Sequence, residues 1–348
     1  MIGRLDLGSG LGPEGGALTD TVRTSGGRRL AVQMYGDHEG APIFLLHGTP
    51  GSRLGPRPRS VVLHRLGVRL IAFDRPGYGR SDRLRGRKVA NVAADVAAIA
   101  DWYGLKRFAV VGRSGGGPHA LACAAMLPDR ITRTAVLVGL APHGAAGLDW
   151  FDGMAKSNVI EFTAAATGYK HIANRLHAAA DGIRADPARL IASLQVELPE
   201  PDRRVVADAG IRAMLLQNYA EALRTSAHGW IDDALAFCSP WGFDPAEVTI
   251  PVLFWHGAGD VFSPASHARW LAERIPSATV IVQAGAAHFG ALDVLPDVLR
   301  WLSADLSPGM IRSAGARARG RSAASPAAIQ HSDDAVREPV RGRSAHAP

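Results

Sequence analysis

The sequence predicts an α/β fold: a mostly parallel central sheet with helices on both faces and a helical segment inserted before its last strands. Three observations predict it. Apolar strand-like runs alternate with helical segments along most of the 348 residues. A serine framed by glycines stands where one such run gives way to a helix, at Gly112-Arg113-Ser114-Gly115-Gly116. The alternation stops only between Pro142 and Pro240, where helical periodicity continues without a convincing strand.

In chain order, a hairpin is expected around 22–24 and 30–35. Strands follow near 43–47, 69–73, 107–111, 134–139, 251–256 and 279–283. Helices are expected near 54–66, 91–102, 117–127, 264–274 and 291–303, which would cover both faces of a parallel sheet. Within the interruption, 153–168, 173–185, 187–195, 201–209, 211–227 and 231–237 permit helices. The implied organisation is a flexible N-terminal extension (1–20), a core in two pieces (21–142 and 241–306), a helical cap (143–240) and a basic tail (307–348). A cap at that point of the chain can fold over the sheet edge and close a pocket. Its aromatic and large apolar residues Trp150, Phe151, Met154, Phe162, Tyr219, Trp230 and Phe237 are candidates to line it, although residues at helical spacing more often pack.

The chemistry begins at Ser114. It follows the apolar run Phe108-Ala109-Val110-Val111 and precedes an alanine-rich helix, so it lies on a strand-to-helix turn. Glycines on either side let the backbone pass closely and leave the hydroxyl exposed above the sheet. A bare Gly-x-Ser-x-Gly is weak, because glycine is abundant here, and a phosphate-cradling turn reads the same way. Three further segments favour nucleophilic catalysis. Ile43-Phe44-Leu45-Leu46 runs into His47-Gly48-Thr49-Pro50-Gly51; Asp260 follows the strand-like run ending in His256-Gly257; His288 follows a second run and the small residues Gly285-Ala286-Ala287. Serine, aspartate and histidine thus occur in that order, each just past an apolar run. Asp149 and Asp152 compete with Asp260 for the acid; His47 and His256, each before a glycine at a strand end, read as structural, and His119 falls on the helix below the nucleophile.

With these motifs in place the chain resembles the α/β-hydrolase superfamily, in its cap-bearing group of prolyl aminopeptidase-like and epoxide-hydrolase-like proteins. The likeness runs from about Gly27 to about Leu302 and includes Asp74-Arg75-Pro76-Gly77-Tyr78-Gly79-Arg80-Ser81-Asp82, similar to that group's turn after a strand. The resemblance implies backbone N–H donors for an oxyanion at Thr49 and Gly115, and a cis bond before Pro50. Serine rather than aspartate at position 114 argues against epoxide-opening chemistry. Thr49, where prolyl aminopeptidases carry a second glycine, weakens that label, and Glu161, Glu197, Glu200 and Glu221 are the acidic candidates for an amine site. The expected activity is serine hydrolysis of a small ester, amide or lactone through an acyl-enzyme. The alternatives are a cofactor-free haloperoxidase, perhydrolase or acyltransferase using the same triad, and a non-catalytic small-ligand receptor.

Composition sets limits. Hydrophobic residues make up 47% of the chain, enough for one large core or a core plus a subdomain. The net charge of +7 is mostly in the tail: residues 307–348 hold seven arginines against three acids, which is +4. That segment has almost no large apolar side chains and is expected to be disordered, without nucleic acid as a partner. The first twenty residues lack the apolar stretch of a leader, and no run reaches the ~18 apolar residues of a membrane span, so a cytoplasmic protein is expected, with no membrane partner. Cys123 and Cys238 read as small buried apolar residues rather than a disulfide or metal pair. No cofactor is implied, the partner is a small-molecule substrate, and the oligomeric state is open.

Overall fold

A computed structural model describes residues 19–306 and the strand backbone of 335–338. Strands β1 (Thr19–Arg23) and β2 (Arg29–Gly36) form the expected hairpin. They are followed by β3 (Ala41–Leu46), β4 (Val68–Phe73), β5 (Phe108–Arg113), β6 (Ile131–Leu137), β7 (Val252–Gly257) and β8 (Ala278–Gln283). The sheet order is β1-β2-β4-β3-β5-β6-β7-β8, with β2 antiparallel to its neighbours and β3 to β8 parallel.

The parallel strands are apolar on both faces because both are covered. Phe44, Leu46, Phe108 and Val110 face one core cluster, and their neighbours Ile43, Leu45, Ala109 and Val111 face another. Helices α2 (Val92–Trp102), α3 (Gly116–Met126) and α10 (Ala265–Ala272) bury residues in the first; α1 (Ser60–Arg65) and α11 (Leu295–Ser303) bury residues in the second. Helix α1 starts later than the sequence suggests. Pro56 and Pro58 restrict the residues before them and remove two N–H groups, which keeps 54–59 out of helix.

Between β6 and β7 the chain forms six helices: α4 (Lys156–Thr167), α5 (Tyr169–Ala185), α6 (Ala188–Gln195), α7 (Glu200–Ala207), α8 (Ala209–Ala222) and α9 (His228–Phe237). Asp208 separates α7 from α8, its Oδ1 accepting the Ile211 N–H at 2.9 Å as an N-cap. The insertion has its own core, including Ile172, Leu176, Leu215 and Ile231. Tyr78, Phe262 and Phe289 from loops at the sheet edge join it. The insertion therefore packs onto the edge where the parallel strands end.

The expectation of a flexible extension at 1–20 lies outside the described residues except at Thr19 and Asp20, which already belong to β1. Of the segment expected to be disordered, Ala335–Glu338 departs from that expectation: it forms β9, antiparallel to β8. Without it β8 would present an unpaired row of backbone donors and acceptors, which is a template for a further strand. The remainder of that segment lies outside the described residues. No helix among the described residues is long and apolar enough to cross a membrane.

Candidate active site

The strand order turns around β3: β4 lies on one side of it and β5 on the other. Ligands of open α/β sheets bind at such a switch, outside the carboxyl ends of the strands. The loops leaving β3 and β5 carry Thr49 and Ser114.

Ser114 occupies the left-handed region at φ 53°, a sparsely populated conformation for a side-chain-bearing residue. The turn is possible because of its glycines. A Cβ on Gly112 would stand 2.1 Å from the Gly116 carbonyl oxygen, and one on Gly116 would stand 2.2 Å from that of Leu46. The turn is tied to the next strand by the Ser114 N–H, which donates to the Leu137 carbonyl at 2.8 Å. The Thr49–Pro50 bond is cis. The backbone N–H groups of Thr49 and Gly115 donate to no protein acceptor among the described residues, and both residues line the cavity that holds Ser114.

His288 precedes a short 3-10 turn (Phe289–Leu292) after β8. Its Nδ1 lies 2.9 Å and 3.1 Å from the two Asp260 carboxylate oxygens. The loops bearing the two residues are joined by the Ala258 N–H to the Gln283 carbonyl and the Gly259 N–H to the Ala286 carbonyl, each 2.9 Å. Small residues are required there, since a Cβ on Gly257 would approach the Ala287 backbone to 2.5 Å. Asp260 also accepts the Phe262 and Ser263 N–H groups at 2.8 and 3.1 Å. Burial alone would favour its protonated form, but His288 and the hydrogen bonds from His256 and His288 override this and hold the carboxyl below its ordinary range. Asp149 and Asp152 are exposed and do not reach His288. Ser114 and His288 line the same cavity, with no direct hydrogen bond between them among the described residues. Such contacts tighten when a substrate seats.

The cavity measures about 480 Å³ and lies between the sheet edge and the insertion. Of the candidates, Phe162, Tyr219, Trp230 and Phe237 line it, together with Phe262 and Phe289 from the sheet-edge loops. Trp150, Phe151 and Met154 do not, and their assignment to the pocket is corrected. Trp150 is buried, its indole N–H donates to the Ala141 carbonyl at 2.9 Å, and its ring meets Phe162 and His267 edge-on; Phe151 and Met154 pack against the same cluster. Of the four glutamates, Glu161 and Glu197 line the cavity. Glu200 pairs on the surface with Arg203 and Arg204, and Glu221 pairs with Arg53 at 2.6 Å. Glu161 accepts the Trp230 indole N–H at 2.8 Å, and burial pushes its carboxyl up to about 7.

Beneath the Thr49 loop lies a buried ionic cluster that sequence reasoning missed. Asp233 of α9 meets Arg75 at 2.5 Å and Arg87 at 2.6 Å, and accepts the Tyr78 hydroxyl at 2.8 Å and the Thr49 hydroxyl at 2.5 Å. Burial would raise its carboxyl, but the two guanidinium groups hold it well below the ordinary range. Burial and Arg75 hold His47 and His119 well below theirs, so both are neutral. His47 accepts the Arg75 N–H at 3.0 Å, in keeping with a structural role. The missed signal was Asp232-Asp233 inside an otherwise apolar helix: an acid on a buried face needs cations beside it. Among the described residues no cluster of three or more metal-ligating side chains occurs.

Residues 41–293 match the alpha/beta hydrolase fold family. A non-heme chloroperoxidase from Streptomyces lividans is 30% identical over 292 residues, covering 80% of this chain and 96% of that protein. Epoxide hydrolase B from Mycobacterium tuberculosis is 35% identical over 116 residues, which is 32% of this chain and only about a third (33%) of the relative's length. Among solved structures, a thermophilic esterase from Thermogutta terrifontis superposes with a TM-score of 0.57 at 22% identity, over 82% of this chain and 96% of that one. With the glycine-framed turn, the strand order and the position of the insertion, these matches place the chain in the alpha/beta hydrolase fold family, as an α/β-hydrolase enzyme.

Proposed function

We propose that the protein is a serine hydrolase that cleaves a carboxylic ester through an acyl-enzyme in its capped cavity. One observation carries this reading: Ser114, on a left-handed turn, opens into the same cavity as an imidazole held at 2.9 Å by a buried carboxylate. His288 takes the Ser114 proton as the oxygen attacks the acyl carbon, then gives that proton to the departing alkoxide. Asp260 keeps the Nδ1 proton in place and stabilises the imidazolium. The N–H groups of Thr49 and Gly115 receive the oxyanion, each typically worth about 2.7–4 kcal/mol. Water then repeats the sequence on the acyl-enzyme. A carboxylate nucleophile would form an alkyl ester with an epoxide; a serine in its place supports acyl transfer instead.

The cavity lining supports a substrate with an acyl chain. Leu176, Ala179, Gly182 and Ile183 of α5 and Leu190 and Leu194 of α6 supply an apolar wall, beside Arg175, Arg189 and Ser193 of the same helices; Leu176 to Ile183 spans roughly 10 Å at 1.5 Å of rise per residue, about the length of an eight-carbon acyl chain. Hydrolysis of p-nitrophenyl esters graded from acetate to palmitate tests this, with an optimum expected at medium length. A protein that hydrolyses none of them, and no lactone, would contradict the reading. The likeness to a chloroperoxidase over most of its length favours a second reading, perhydrolysis by the same residues. Peroxide would then outcompete water for the acyl-enzyme and release a peroxy acid.

A further inference from the structure

Helix α7 of the insertion carries a residue to which no motif points. The Asp202 carboxylate is fully buried; its Oδ2 accepts the His288 N–H at 3.1 Å and its Oδ1 the Phe289 N–H at 2.7 Å. These donors open the short 3-10 turn after His288, where backbone N–H groups have no partner within the turn. Asp202 supplies that partner from 86 residues away. His288 is thus held by two carboxylates from two parts of the molecule: Asp260, from the loop after β7, grips the ring, and Asp202 grips the backbone. The charged and titratable groups around His288 are these two acids, with His256 behind Asp260 at 3.5 Å; Phe262 and Phe289 contribute only their rings. Asp202 and His288 also interact as charges, against a burial that raises the Asp202 carboxyl.

We infer that Asp202 is a positioning residue for the reaction, fixing the place of His288 relative to Ser114, so that the insertion shapes the chemistry as well as the pocket. The inference rests on the proposed role of His288 as base.

The test uses the full chain and p-nitrophenyl acetate, the smallest ester. Wild type must turn it over and be labelled at Ser114 by a fluorophosphonate; if it does neither, the proposed function fails, whatever Asp202 does. Asp202→Asn removes the charge and turns an amide against one of the two donors. It is expected to lower kcat about 10- to 100-fold, because ångström-scale misplacement of a reacting group costs that much, while KM changes by no more than about threefold. Asp202→Glu keeps the charge but displaces it by a methylene, so kcat falls here too, again with little change in KM. Arg204→Ala, on the same helix and paired with exposed Glu200, serves as the control and leaves kcat and KM unchanged. An Asp202→Asn protein with wild-type kcat, altered only in melting temperature or KM, would reduce Asp202 to scaffolding and overturn the inference. Should that variant not fold, wild-type kcat in Asp202→Glu overturns it instead.

Discussion

The sheet-edge loops and the helical insertion build one cavity by different means. The loops bring Ser114, Thr49, Gly115, Asp260 and His288 together through tight turns that glycines permit and that backbone hydrogen bonds tie to the neighbouring strand or loop. The insertion contributes through long-range polar contacts: Asp233 reaches Thr49 across 184 residues and Asp202 reaches His288 across 86. The loops can therefore be recognised as local patterns, whereas the insertion acts through single buried side chains that have meaning only in the folded chain. Chemistry should fail abruptly when the loops are altered. Changes in the insertion should act on selectivity and stability, and on rate only in part, through Asp202.

The sharpest test of this contrast is His288→Ala, expected to lower kcat by about 10⁴-fold or more with the fold intact, as removal of a triad member does in other serine hydrolases. His256→Ala or His119→Ala, if folded, should retain far more activity; the reverse ranking would reassign the base. Next is Asp233→Ala, which leaves Arg75 and Arg87 buried without their counter-ion. Breaking a buried pair in this way costs about 3–5 kcal/mol, measurable by urea denaturation. A loss under 1 kcal/mol would mean that the cluster is far better hydrated than its burial suggests.

The two regions also differ in how far they could be read beforehand. The strands, the hairpin and the serine–aspartate–histidine order were legible because short apolar runs and glycine-framed turns are local signals. Phe162, Tyr219 and Trp230 were separable from Trp150 only in three dimensions. All are aromatic residues of the insertion or its approach, and which of them faces the cavity depends on how the helices stack, as the Trp150 contact with His267 shows. Asp202 lies in a polar stretch with Glu200, Arg203 and Arg204 at its sides, so nothing in the sequence separates the buried acid from its exposed neighbours. The strand at 335–338 was hidden in a composition that otherwise argues against structure.

Selectivity offers a smaller effect. A Cβ on Gly182 would meet only the flexible Arg189 side chain, at 3.4 Å, so the helix has room for a side chain there. Gly182→Trp would fill the apolar wall and should shift preference toward short esters by about 10- to 200-fold, the range of 1–3 kcal/mol for a misfitting methylene. Acetate turnover should barely change. An unaltered ranking would remove α5 from the substrate site.

The smallest effect concerns Glu161. Its carboxyl rises from 4.5 to about 7 on folding, so the folded state favours the proton and stability falls as pH climbs through that window. Glu161→Gln, which keeps an acceptor for Trp230, should therefore be more stable than wild type above about pH 7, with the gap closing toward pH 4.5. Because Glu161 opens onto the cavity, the gain is set at about 1 kcal/mol. Melting temperatures across that range would show it, and a constant difference at every pH would contradict it.

The central claim is that Ser114 is the nucleophile. A fluorophosphonate probe followed by peptide mass spectrometry tests it directly: one adduct is expected, on Ser114, absent in Ser114→Ala and strongly slowed in His288→Ala. Labelling that persists in folded Ser114→Ala, or an adduct on any other residue of an active wild-type protein, would contradict it.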